Sequence, residues 1–246
     1  MGVTNTFGIA SVAWLSTAVA DPIADLYPTG RNAAGGVTAL GEADANWEVR
    51  EAANPWVTAL YEYTNFCSSC GGIWIDHPSG GTVNDKGLAH PSWIRSAFAT
   101  DREFGWRTTF TLPANVDLTT VTISYFVGFD NISRAADGIS NLTGCNHTAW
   151  VNGVPIQFAS VGNPILTQCA ATIPASANFV AGNNTLEFRI WNGTGYYGFR
   201  LSQVTGTYQL LPAPPAAPTI STPTQGSATN DNTPNITGTC ETGATV

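Results

Sequence analysis

The chain is poor in charged side chains and above all in lysine. Only 11% of its residues are charged, against roughly 25% in an average domain, and Lys86 is the only lysine. The net charge of −8 argues against a nucleic-acid partner, which requires a basic face for its phosphates. The same charge argues against docking on an anionic membrane surface.

The sequence also lacks the long runs of Leu, Glu, Lys and Arg that build helical proteins. No apolar stretch has the length and flanks of a membrane-spanning helix, so membrane insertion is not expected. Short alternating segments separated by Gly, Asn and Pro recur along the chain instead. This pattern predicts an all-β protein, a two-sheet antiparallel β-sandwich of the jelly-roll type.

The clearest alternation lies between residues 179 and 209. Residues 185–191 place Leu186, Phe188 and Ile190 on one face and polar or larger side chains on the other, as in a half-buried strand. In the run that follows, the apolar parity switches near Gln203, which predicts a β-bulge. We expect two long antiparallel strands joined by the glycine-rich loop 192–197.

Composition divides the chain into three parts. Residues 1–210 carry the strand pattern and include an apolar segment at 8–20, which we interpret as a buried strand. The alternative, a signal-peptide remnant, lacks the positive charges expected before the apolar segment. Four prolines in residues 211–218 predict a stiff linker. Residues 219–246 are too short to close a core and are expected to be the first strands of another β domain, cut off by the end of the sequence.

Five cysteines indicate an oxidising compartment and therefore a secreted or cell-surface protein. We expect two short-range disulfides, Cys67–Cys70 and Cys145–Cys169, with Cys240 left over. A redox role for the Cys67–Cys70 pair is disfavoured because such motifs start a helix in a βαβ unit. A zinc site would need two further ligands at suitable spacing.

Two tyrosines make the loop at 192–197 the strongest ligand-binding prediction. The rings of Tyr196 and Tyr197 would stack on a sugar, and the polar groups of Asn192, Arg200 and Asn131 would fix its hydroxyls. The alternative is that one ring covers the edge of the sandwich. No catalytic residue is predicted, since no nucleophile-elbow or zinc-protease motif occurs and no carboxylate pair stands out by its spacing.

Acidic residues at strand ends raise the question of a bound ion. Asp130, with Asp44 or Asp137, would supply oxygen ligands to Ca²⁺. The alternative is an Asx turn that ends the strand, because the spacing matches no calcium-binding loop motif. No cofactor is required by this interpretation, and calcium is the one ion considered.

Several short motifs resemble a known module. Thr29-Gly30, Asp44-Ala45-Asn46-Trp47, Val151-Asn152-Gly153 and the run Phe179–Leu186 resemble a galactose-binding-like β-sandwich of exported bacterial proteins, of the carbohydrate-binding-module type, over about residues 26–209. Residues 218–244 resemble the start of a bacterial immunoglobulin-like repeat of surface adhesins. These resemblances imply a β-sandwich followed by a stalk.

The leading hypothesis is an extracellular, non-catalytic recognition module of a surface adhesin, which binds carbohydrate or another surface ligand through loops at the end of the sandwich. A second hypothesis is a subunit of an extracellular filament or sheath, assembled by self-association through edge strands. A third is an accessory module of a secreted glycoside hydrolase.

Overall fold

The structure, a computed structural model, describes part of the chain. The described residues are 19–32, 36, 42–61, 94–95, 103–130, 132–162, 164, 169–193, 198–213, 219–222, 230 and 237–239. The chain divides into two compact units, Met1–Leu210 and Leu211–Val246. The predicted apolar strand at 8–20, except for its last two residues, lies outside the described part, as do Cys67, Cys70 and Cys240.

One layer of the first unit contains three main strands. β12 (Gly198–Leu210) pairs with β6 (Val116–Asp130), which pairs in turn with β10 (Cys169–Ile173), all antiparallel. The two-residue β1 (Asp21–Pro22) extends this layer along β12.

The second layer contains six main strands: β2 (Ala43–Glu51), β3 (Val57–Tyr61), β5 (Glu103–Leu112), β8 (His147–Val151), β9 (Val154–Phe158) and β11 (Gly182–Trp191). Their order in the sheet is β3–β2–β5–β11–β8–β9, again with every pair antiparallel. The short β7 (Ile132–Ser133) pairs with β11, and β4 (Ile94–Arg95) pairs with both β3 and β12, which links the two layers.

Aromatic side chains show that the two layers face each other. Phe199 of β12 lies 5.0 Å from Phe188 of β11 and 5.6 Å from Trp106 of β5, between ring centroids. Tyr125 of β6 lies 5.5 Å from Phe188. Since these residues are not strand neighbours, they meet across the core, as in stacked sheets. The described residues contain no helix, and the predicted two-sheet antiparallel β-sandwich is confirmed.

The prediction that β11 and β12 form a hairpin is wrong. β11 pairs with β5, β8 and β7, whereas β12 pairs with β6, β4 and β1. Each strand has apolar side chains on one of its two faces, and these side chains must be buried. When the two strands lie in opposite layers, their apolar faces pack against each other and both are buried. The predicted bulge is confirmed, because the register shifts between Ser202 and Thr205 and Gln203 has a positive φ of 47°.

The hairpin at Asn152-Gly153 forms as predicted, with Val151 opposite Val154. In a two-residue hairpin the residues that flank the loop exchange both hydrogen bonds. The next pair, Trp150 and Pro155, is therefore of the non-hydrogen-bonded kind, and the nitrogen of Pro155 points away from β8. Among the described strands β9 is the last of its layer, so this proline lies on the edge of the described sheet, where its missing N–H cannot support the addition of another strand.

The Cys145–Cys169 disulfide forms as predicted, and both cysteines are buried. It joins the start of β10, in one layer, to the segment that leads into β8, in the other. In the second unit, β13 (Thr219–Thr222) pairs antiparallel with β14 (Thr237–Thr239).

Candidate functional site

The outer face of the second layer concentrates charge in a chain that has little of it. In β2, β5 and β11 the outward residues that alternate with the core positions include Glu48 and Arg50, Arg107, and Glu187 and Arg189. Strand register places these residues side by side, with Glu48 opposite Arg107 and Arg107 opposite Glu187. Trp191 and Trp150 share the same face through β11 and β8.

Trp56 lies over the centre of this face. Its ring centroid is 4.5 Å from the guanidinium carbon of Arg50 and 4.2 Å from that of Arg107. The ring fits there because Gly105 has no side chain: a Cβ at this position would lie 3.1 Å from Trp56 Cη2. Cation–π contacts at partly exposed sites stabilise by roughly 0.5–1 kcal/mol each, so the indole restrains two guanidinium groups.

Glu187 joins neighbouring arginines. Its Oε1 accepts hydrogen bonds from Arg50 Nη2 at 3.1 Å and Arg189 Nε at 2.7 Å. The guanidinium of Arg189 in turn lies 4.7 Å above the ring of Trp150. Arg107 donates through Nε to Glu48 Oε2 at 2.6 Å. The result is a continuous set of stacked and ion-paired groups across four strands.

Another arginine that stacks on a tryptophan and pairs with a glutamate lies where β11 ends and β5 begins. Arg134 stacks 4.5 Å from the ring of Trp191 and donates through Nε to Glu103 Oε2 at 2.9 Å. Its Nη1 donates to the carbonyl of Ile139 and to Asn141 Oδ1. Only 12% of the Arg134 side chain is exposed, so this arginine mainly holds the loop 134–141 on the sheet.

We name this surface the Arg–Trp face, defined by Arg50, Trp56, Arg107, Arg134, Trp150, Arg189 and Trp191 with Glu48, Glu103 and Glu187. It holds four of the chain's eight arginines. Its four arginines lie among three glutamates, and Asp137, on the loop that Arg134 holds, interacts electrostatically with Arg134 as well. Guanidinium groups held in a fixed plane are suited to hydrogen bonding with hydroxyls and carboxylates.

The structure places part of the predicted loop site. Tyr196, Tyr197 and Asn131 lie outside the described residues. Asn192 and Arg200 are described, and they are buried, with 1% and 2% of their surface exposed. Neither side chain therefore presents the open polar rim that a sugar would contact, and binding by the loop remains a prediction.

Asp44, a predicted calcium ligand, fastens a loop. One of its carboxylate oxygens accepts the N–H of Gly30 at 2.6 Å and the other accepts the N–H of Asn46 at 2.9 Å. Asn46 Nδ2 donates to the carbonyl of Arg31, and Trp47 Nε1 to that of Tyr27. Burial raises the pKa of the Asp44 carboxyl to about 6, and the backbone N–H groups act against this shift.

The predicted calcium site remains a prediction. Asp130 belongs to β6, but its side chain is not among those described. Asp137 forms an Asx turn: its Oδ1 accepts the N–H groups of Ile139 and Ser140, each at 2.8 Å. Hydrogen bonds from Ser140 and from these N–H groups lower the pKa of the Asp137 carboxyl. In the described part of the chain, no three His, Cys, Asp or Glu residues are grouped as metal ligands.

Asn152 and Asn184 hold the hairpin against the start of β11. Asn152 Nδ2 donates to Asn184 Oδ1 at 2.8 Å, and Asn152 Oδ1 accepts the N–H of Thr185 at 2.8 Å. Asn184 Nδ2 donates to the carbonyls of Val180 and Gly182. The polar side chains of the motifs that resemble galactose-binding-like modules thus form hydrogen bonds that hold the loops of the fold together.

One polar pair lies in the core between the layers. Burial lowers the pKa of His147, so its ring is neutral. His147 Nδ1 lies 2.9 Å from the carbonyl of Cys145, which only accepts, so Nδ1 carries the proton. Nε2 then accepts the hydroxyl proton of Tyr125 at 3.0 Å. Burial raises the pKa of Tyr125 well above its ordinary value. The hydrogen bond between Tyr125 and His147 therefore links two neutral side chains, one from each layer.

Sequence reasoning did not find the Arg–Trp face. The alternation in 185–191 places Glu187, Arg189 and Trp191 on one parity, and the same outward parity carries charge in 48–50 and at 107. The available signal was this repetition in a chain with 11% charged residues. Nothing local indicated that the three segments are neighbours in one sheet.

No family model matches the chain, and no curated protein matches it. The described residues contain no helix with the length and apolarity that crossing a membrane requires. Among solved structures, the chain is similar to a cyclase from Fischerella sp. TAU, with a TM-score of 0.42 and 13% sequence identity over 80% of this chain and 100% of that chain.

Proposed function

We propose that this protein is an extracellular, non-catalytic recognition module of an adhesin that binds carbohydrate. The observation that carries the proposal is the Arg–Trp face, where indole rings, guanidinium groups and carboxylates lie side by side on the outer surface of a sheet. Planar polar groups of this kind exchange hydrogen bonds with the many hydroxyls of a sugar chain, and aromatic side chains support them.

Other features support the setting. The Cys145–Cys169 disulfide fits a protein outside the reducing cytosol. The resemblance of residues 26–209 to galactose-binding-like modules fits a sugar ligand. The resemblance of 218–244 to an immunoglobulin-like repeat fits a stalk that follows the proline-rich linker.

A glycan array that includes neutral and acidic sugars, run with and without Ca²⁺, tests the proposal. We expect the chain to bind at least one class of glycan. Two sets of variants locate the site: Arg107→Gln alters the Arg–Trp face, and Tyr196→Ala with Tyr197→Ala alters the loop. Loss of binding in the first variant alone assigns the site to the face, and loss in the second alone assigns it to the loop. A folded protein that binds no glycan overturns the proposal.

A further inference from the structure

The guanidinium groups of the Arg–Trp face are held in place but only partly used. In the part of the chain that the structure describes, Arg50 donates through Nη2, Arg107 through Nε and Arg189 through Nε. Each guanidinium carries five N–H donors, so most donors of each group are not engaged by the glutamates of the face. Between 25% and 30% of each of these three side chains is exposed.

Stacking prepares these donors for a ligand. The ring of Trp56 lies 4.5 and 4.2 Å from the guanidinium carbons of Arg50 and Arg107, and that of Trp150 lies 4.7 Å from Arg189. A long arginine side chain normally loses conformational freedom when it binds a ligand, which weakens the interaction. Here the indoles already restrict the arginine side chains in the folded protein, so less conformational entropy is lost when a ligand binds.

The same contacts disfavour a neutral sugar stacked on an indole. Guanidinium groups already stack on the rings of Trp56 and Trp150, so a pyranose that approached the stacked face of either ring would have to displace an arginine. The groups left facing outward are N–H donors with positive charge. Their strongest partners are planar anions that accept two hydrogen bonds at once.

Carboxylate is the anion that this face already binds. Glu48 pairs with Arg107, and Glu187 pairs with both Arg50 and Arg189. Three arginines therefore share two carboxylates in the centre of the face. These three arginines outnumber the two carboxylates by one, so a further carboxylate would pair with the donors that remain.

We propose that the Arg–Trp face binds a polysaccharide of uronate residues, whose carboxylates pair with Arg50, Arg107 and Arg189. This inference rests on the proposed carbohydrate-binding function and specifies its ligand class. The glutamates of the face act as internal competitors for the same donors, so removal of Glu48 strengthens binding while removal of Arg107 weakens it.

The test compares four probes: polygalacturonate, its methyl-esterified neutral form, a sulfated polysaccharide and single-stranded DNA. Titration calorimetry with the full chain at low salt should show binding to polygalacturonate and about tenfold weaker binding, or none, to the neutral form, because the charged hydrogen bonds are lost. Added NaCl should weaken the interaction, since the groups are partly exposed and screened.

Two variants break the same ion pair with opposite consequences. Arg107→Gln should weaken polygalacturonate binding about tenfold or more, and Glu48→Gln should strengthen it several-fold. Because both remove the Arg107–Glu48 bridge, a structural role alone would move both in the same direction. Thr205→Gln, on the opposite face of the sandwich, should leave binding unchanged, and thermal melts confirm that each variant is folded.

Each contrary outcome has a distinct meaning. Equal binding of the neutral polymer, or an unchanged affinity in Arg107→Gln, overturns the uronate assignment while the proposed carbohydrate function stands. Preference for the sulfated polymer replaces carboxylate by sulfate and overturns the assignment as well. Binding of single-stranded DNA in preference to polygalacturonate overturns it in favour of a nucleic acid. A folded chain that binds no glycan overturns both proposals.

Discussion

The two outer faces of the sandwich are built from the same strand geometry but carry different side chains: charged and aromatic groups on one, hydroxyl groups on the other. On the second layer, the Arg–Trp face packs indole, guanidinium and carboxylate groups against one another. On the first layer, β6, β10 and β12 present hydroxyls, a surface that we name the hydroxyl face and define by Thr122, Ser124, Thr172, Thr205 and Thr207. The described ion pairs all lie on the Arg–Trp face.

The hydroxyl face is bonded across its strands as well. Ser124 Oγ lies 2.9 Å from Thr172 Oγ1, and Thr122 Oγ1 lies 3.3 Å from Thr207 Oγ1. These groups are small and near water, which replaces a lost partner at little cost. The Arg–Trp face contains large side chains that cover one another, so its groups depend on their neighbours. From this difference we expect substitutions on the hydroxyl face to act independently and substitutions on the Arg–Trp face to be coupled.

The largest effect expected from this difference is the loss of Trp150. Its side chain belongs to the Arg–Trp face but is only 2% exposed beneath Arg189. Trp150→Ala should lower the free energy of unfolding by about 3–5 kcal/mol, as for other buried tryptophans. Thr172→Ala, the control on the hydroxyl face, should change it by less than about 0.5 kcal/mol. Urea denaturation measures both, and similar values for the two variants would contradict the comparison.

Between the faces, the interior should respond to pH through two groups with opposite signs. The pKa of His147 is lowered in the folded state, so its contribution is complete above 6.5 and declines as pH falls and the unfolded chain takes up a proton. The pKa of Asp44 is raised from 3.8 to about 6. The folded state therefore binds its proton first, and stability rises as pH falls from 6 towards 3.8.

Asp44→Asn separates the two contributions. A shift of about two pKa units corresponds to roughly 3 kcal/mol, so the variant should lose on the order of 2–3 kcal/mol more than the wild type on acidification from pH 7 to 4. Unfolding curves across this range provide the measurement. Parallel pH profiles for the two proteins would show that the Asp44 carboxyl does not titrate in this window.

A smaller effect is expected when the glutamate at the centre of the Arg–Trp face is neutralised. Glu187 is 13% exposed and accepts hydrogen bonds from Arg50 and Arg189. Glu187→Gln should destabilise the fold by about 1–2 kcal/mol, because its partners are about a quarter exposed and partly screened. The loss should shrink in high salt. Double-mutant cycles that combine Glu187→Gln with a substitution of Arg50 or Arg189 measure the coupling energy of each pair. Coupling energies of zero would show that the side chains of the face contribute independently.

The smallest effect is expected on the hydroxyl face. Ser124→Ala removes the hydrogen bond to Thr172, and the exposed threonine then bonds to water. The free energy of unfolding should change by less than about 0.5 kcal/mol and should not depend on salt. A loss above 1 kcal/mol in this variant would show that the hydroxyls form a cooperative array of their own.

Local signals in the sequence predicted the strands and the turns well. The alternation in 185–191, the parity switch at Gln203 and the Asn152-Gly153 turn are properties of adjacent residues, and the structure confirms each of them. Which strands become neighbours depends on contacts far apart in the sequence. For this reason the hairpin predicted between β11 and β12 was wrong, although both strands exist.

The site was harder to predict for a related reason. The motifs at Asp44 and Asn152 could be recognised from the sequence because their residues act within short loops. Both side chains form structural hydrogen bonds. The Arg–Trp face combines side chains from four strands, so each residue alone resembles an ordinary exposed position. Only the sheet order β2–β5–β11–β8 brings Arg50, Arg107 and Arg189 together.

Pro155 has a consequence for how copies of this chain behave when they are crowded. An edge strand with a complete row of N–H and C=O groups is a template on which a neighbouring molecule can add its own strand, and dense arrays raise the chance of such encounters. The proline on β9 interrupts this row. A strand that added along this edge would find no N–H at position 155, so strand addition between crowded copies is disfavoured there.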